Sequence, residues 1–68
     1  MRPEEVFGVN AGKVWNALKA KGMLTASQIS KETGLKLTEV FGALGWLGRE
    51  GKIEIIEEKK KILYKLTE

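Results

Sequence analysis

Thr25-Ala26-Ser27-Gln28-Ile29-Ser30-Lys31-Glu32-Thr33-Gly34-Leu35-Lys36-Leu37 is the stretch that decides the fold. Thr25 and Gln28 stand three apart, the spacing of a capping box. In such a box the Thr hydroxyl accepts from the Gln28 amide while the Gln side chain reaches back. This predicts a helix over 26–33 with Ala26 and Ile29 facing inward. Gly34 breaks it, because glycine reaches the left-handed backbone region at no steric cost. Leu35 then plugs the turn. A third helix opens near Leu37, with Glu39 in its first turn where a carboxylate favours the helix dipole. It runs over 37–50 and stops at Gly51. Two helices joined by a short Gly-containing turn make a helix-turn-helix unit.

Upstream, Asn10 reads as an N-cap, followed by Ala11, Val14 and Leu18 at helical spacing. The first helix is expected over 11–21, with Gly22 as its stop. Trp15 lies about 100° from Val14, on the flank of the core stripe. Residues 1–9 carry Pro3 and the apolar Val6, Phe7 and Val9, and are expected to lie extended against the body. Met23-Leu24 is a short apolar link suited to one β-bridge. Downstream of Gly51 the period becomes two. Ile53 and Ile55 alternate with charge, Glu57 to Lys61 form a charged tip, and Ile62, Tyr64 and Leu66 alternate again. That pattern is a hairpin over 52–66, with Ile56 and Leu63 on its other face. The fold class is therefore α+β: a winged helix-turn-helix, three helices followed by a two-stranded β-hairpin, in a single domain spanning 1–68.

Sixty-eight residues hold one small core. A chain of this size buries only about 60% of the surface that it exposes when unfolded. It has no Cys, no His and no Asp, so disulfides and thiolate or imidazole metal sites are excluded. The usual nucleophile–base pairs are excluded with them. Nine Glu remain, all in charged or helix-terminal settings. A non-enzymatic chain is expected, with no cofactor, no metal and no small-molecule substrate. The net charge of +3 is mildly basic and compatible with nucleic acid. No segment could span a membrane, and the N-terminus lacks a signal-peptide pattern, so a cytoplasmic location is expected.

Helix three carries the functional question. From Val40 to Gly48 no side chain is charged or hydrogen-bonding except the Trp46 indole. Leu37, Val40, Ala43, Leu44 and Leu47 form one stripe, expected to be core. Thr38, Gly42, Gly45 and Arg49 share the outward face, flanked by Phe41 and Trp46. In a DNA-reading helix-turn-helix this face enters the major groove, where base reading needs Arg, Lys, Asn or Gln. Only Thr38 and Arg49 suit such contacts. Each interior glycine costs about 1 kcal/mol relative to Ala, so Gly42, Gly45 and Gly48 call for a compensating contact. Phe41, Gly42, Gly45 and Trp46 are therefore the candidate protein interface, for a second copy or another protein. Lys59-Lys60-Lys61 at the wing tip, with Lys36, Thr38 and Arg49, are the candidate nucleic-acid contacts. A plain solvated turn is the alternative for the lysine run.

Asn10-Ala11-Gly12-Lys13-Val14-Trp15, Ala43-Leu44-Gly45-Trp46-Leu47, and Arg49-Glu50 followed by Lys52-Ile53 resemble a family of small bacterial and archaeal winged helix-turn-helix proteins. That family is catalogued as a domain of unknown function. The resemblance covers residues 8–55 or so, and it implies the winged-helix fold and an ability to dimerise. Three functional readings follow. One is a DNA-binding protein that regulates transcription. The second is a homodimerising or protein-docking module. The third is a subunit of a ribonucleoprotein or transcription complex.

Overall fold

A computed structural model describes residues 2–67. The element order is α1 (Pro3–Lys21), α2 (Ala26–Thr33), α3 (Leu37–Arg49), β1 (Ile53–Glu58) and β2 (Lys61–Leu66). The strands pair antiparallel, with Ile53 opposite Leu66 and Glu58 opposite Lys61. Three helices and a hairpin wing make the winged helix-turn-helix.

The first helix begins eight residues earlier than its expected start at 11. The segment 1–9 is not extended from Pro3 onward, and Asn10 is not an N-cap. Pro3 opens the helix, the position where its fixed φ is already helical and its missing N–H costs nothing. Glu4 and Glu5 follow in the first turn, where negative charge is stabilised by the positive end of the helix dipole. Asn10 is an interior helical residue, 8% exposed. Gly22 ends α1 at φ 90° and ψ −93°, a region closed to residues with a Cβ.

Both halves of the α2 capping box form: Gln28 N donates to Thr25 Oγ1 at 3.2 Å, and Thr25 N donates to Gln28 Oε1 at 2.8 Å. Gly34 takes the left-handed conformation at φ 77°. The turn is then tied down by side chains, with Ser30 Oγ donating to Leu35 O at 2.6 Å and Leu35 N donating to Thr33 Oγ1 at 3.2 Å. These bonds fix the angle at which α3 leaves the turn.

The core joins Ala11, Val14 and Leu18 of α1, Ile29 of α2, and Val40, Ala43, Leu44 and Leu47 of α3. Leu24, Leu35, Ile53 and Tyr64 complete it, and Trp15 packs on its flank. Leu37 is no core residue: it is 46% exposed. It stands at the first position of α3, before the buried stripe that starts at Val40. The wing is anchored by a β-bridge between Leu24 and Tyr64, their amides and carbonyls exchanging bonds of 3.1 and 2.8 Å. Only the base of the wing is buried. Ile62, nearer the tip, is 48% exposed, and Ile55 is 66% exposed although it stands opposite Tyr64: the Leu24 bridge lies on the β2 side, which leaves β1 as the outer strand.

Candidate nucleic-acid interface

Lys36 caps the start of α3 and is exposed; its own N–H donates to Glu39 Oε1 at 2.9 Å. Thr38 is exposed in the first turn, and Arg49 is exposed as the last residue of the helix. Eleven residues of helix rise separate Thr38 from Arg49, roughly 17 Å. The two therefore share a face but not a site.

The wing tip is a two-residue turn. Lys59 and Lys60 connect the strands with φ of 41° and 67°, the pair of positive values that a tight hairpin turn of matching twist requires. Asn-Gly is the sequence that takes this turn with least strain, so two lysines sit there at a conformational cost. Lys61 opens β2. All three are exposed. Among the described residues none lies within ion-pair distance of a glutamate; the pairs present are Lys21–Glu32, Lys52–Glu50 and Lys65–Glu54. Lys59 and Lys61 line a shallow cleft with Thr25 and Gln28 at the start of α2. The fold thus places the lysine run beside the opening turn of α2, not beside Arg49.

The glycine-lined face of α3 is organised differently from its sequence expectation. A Cβ on Gly42 would stand 2.9 Å from Phe7 Cε1. The close approach that Gly42 permits is therefore taken up within the chain, by the ring of Phe7. That ring also stacks on Trp46, with centroids 6.1 Å apart and planes at 21°. Gly45 and Gly48 have open space where a side chain would be. Phe7, Phe41 and Trp46 border an open hollow over Gly42 and Gly45, and Arg49 is the one charged residue lining it.

The structure therefore gathers Phe41, Gly42, Gly45, Trp46 and Arg49 at one place and leaves Lys36 and Thr38 at the other end of the helix. Sequence reasoning missed Phe7. The signal was present, since Phe7 stands four and seven residues before Ala11 and Val14, the continuation of the same helical stripe.

With this geometry in hand, comparison with known proteins places the chain. Residues 1–66 match the family model described as "Winged helix-turn-helix domain (DUF2582)". The chain belongs to that family. A relative, the uncharacterized protein MJ1608 of Methanocaldococcus jannaschii, is 34% identical over 62 residues, 88% of this chain and 89% of the relative. Among solved structures, the solution NMR structure of protein BT2368 from Bacteroides thetaiotaomicron is similar at a TM-score of 0.89 and 29% identity. The match covers 96% of this chain and 79% of that one. The Zalpha domain of Carassius auratus PKZ, crystallised in complex with Z-DNA, is similar at a TM-score of 0.78 and 26% identity, covering 90% of this chain and 97% of that one.

Proposed function

We propose that this chain is a nucleic-acid-binding winged helix, non-catalytic, that holds phosphate through Lys36, Thr38 and Arg49 of α3 and Lys59, Lys60 and Lys61 of the wing. The observation that carries the reading is the wing tip. Three exposed lysines stand there without ion-pair partners among the described residues, and two of them, Lys59 and Lys60, occupy a strained turn where a neutral Asn-Gly would fold more easily. Cationic side chains on a projecting hairpin are suited to a phosphate backbone, which positions a protein without specifying sequence. A similar domain was solved on Z-DNA, which supports the class of ligand. The fold and the absence of Cys, His and Asp both favour binding over catalysis. Regulation of transcription in the cytoplasm is the setting this reading implies.

The test is a titration of the full chain against duplex DNA and structured RNA at low salt, followed by tryptophan emission. Binding that weakens as salt rises is expected. No affinity at low salt for either polymer or for a single strand removes the reading.

A further inference from the structure

We propose that the hollow over Gly45 seats an unpaired nucleobase, so that the domain prefers single-stranded nucleic acid to a closed duplex. This rests on the nucleic-acid reading above and specifies the substrate class of the same molecule.

Leu37, Phe41 and Gly45 follow one another at four-residue spacing along the exposed ridge of α3. None carries a hydrogen-bond donor or acceptor on its side chain. A closed duplex presents the polar edges of its base pairs in the grooves. Pressing those edges on an apolar ridge would strip their water without returning hydrogen bonds, an unfavourable exchange. The apolar part of a base is its flat face, and in a duplex that face is already covered by its neighbours. Away from the duplex ends, only an unpaired base offers it.

The hollow matches such a face. Phe41 is 54% exposed. Phe7 is held on the other side by its packing over Gly42 and its stack on Trp46. Between them Gly45 leaves the floor bare. Arg49, one turn further along the helix, lines the same hollow, and its cation complements the phosphate of a stacked nucleotide. Aromatic platforms joined to cationic side chains are how single strands are bound without sequence preference. A second copy of the chain is the competing occupant of this apolar surface, and the experiment separates the two.

The full chain is titrated with a labelled oligothymidylate of about twelve nucleotides, within the site size of small single-strand-binding domains, and with a blunt duplex of equal length. The strand is expected to bind about ten-fold tighter or more. Phe41→Ala is expected to weaken strand binding by about 5- to 150-fold, the range for losing one base–aromatic stack, while Phe41→Trp retains it. Phe41 is exposed, so the Ala variant should keep its fold, which circular dichroism checks. Gly45→Leu, which fills the hollow, provides a second variant with the same expected loss. Equal affinity for strand and duplex, or strand binding indifferent to Phe41→Ala, overturns the proposal and leaves the phosphate-binding reading standing. Sedimentation equilibrium adds another arm. A wild-type dimer that Phe41→Ala dissociates, with strand affinity unmoved, makes the hollow a self-association surface and overturns the proposal. Failure to bind strand or duplex overturns both readings.

Discussion

Gly42, Gly45 and Gly48 share one helix, yet their surroundings differ enough to give three identical substitutions different outcomes. Replacing an interior helical Gly with Ala gains about 1 kcal/mol by restricting the unfolded chain and covering backbone. Nothing stands within 4 Å of a Cβ placed at Gly45 or Gly48, so Gly45→Ala and Gly48→Ala should each realise that gain. In a domain of this size the gain is a rise of about 4–8 °C in Tm. At Gly42 the new methyl would meet Phe7 Cε1 at 2.9 Å and push the ring off Trp46. An aromatic pair of this kind contributes about 0.5–1.5 kcal/mol, so the two effects cancel and Gly42→Ala should leave Tm nearly unchanged. Thermal unfolding of the three variants checks the contrast, and a Gly42→Ala gain equal to that of Gly45→Ala would show that Phe7 does not depend on the glycine. The sequence exposes three glycines on a ridge and with them a demand for close contact. It does not reveal that Phe7 answers the demand at Gly42, because the stripe of Phe7, Ala11 and Val14 gives the face of α1 that the ring occupies but not the residue of α3 that it meets.

Among the elements, the wing holds the clearest conflict between stability and binding. Lys59 and Lys60 adopt positive φ, at a cost of about 1 kcal/mol or more that Asn-Gly would largely relieve. The double substitution Lys59→Asn, Lys60→Gly should therefore raise the unfolding midpoint while weakening nucleic-acid affinity, since it removes two cations from the tip. Denaturant unfolding and a binding titration on the same protein read both changes, and unchanged affinity would remove these two lysines from the contact set. Element identity follows from local chemistry where that chemistry is unambiguous. The Thr25–Gln28 box and the glycine at 34 mark α2 and the turn after it, and the structure has both. The start of α1 is obscured because Asn has two roles. It is a frequent N-cap, and here it lies inside a helix that Pro3, Glu4 and Glu5 start. Leu37 is misplaced because a period gives the face a side chain occupies but not whether another element covers it there.

At the scale of the whole molecule, the positive charge lies at separated places. The wing lysines sit beside the start of α2, Lys36 at one end of α3, and Arg49 at the other. Spatial grouping of this kind is not legible in the chain, since it depends on how the hairpin leans on the helices. It does set how binding responds to salt. Each phosphate neutralised on a duplex contributes about −0.9 to the slope of log affinity against log salt, and on a single strand about −0.7. With Lys36, Arg49 and the three wing lysines all engaged, the slope is bounded near −4.5 on a duplex and near −3.5 on a strand. Replacing Lys59, Lys60 and Lys61 together by Gln should flatten it by about 2 to 3, whereas Lys36→Gln alone should flatten it by less than about 1. The net charge of +3 also adds a diffuse attraction, which any lysine on the surface would share. Lys13→Gln, on the exposed side of α1 and away from the contact set, controls for that attraction, because it lowers net charge by the same unit as Lys36→Gln. If Lys13→Gln flattens the slope as much as one wing substitution, the binding is set by net charge alone and the wing has no privileged place in it. If only the wing and α3 substitutions move the slope, the contacts are local, and the fold has aimed a small excess of charge at one polymer.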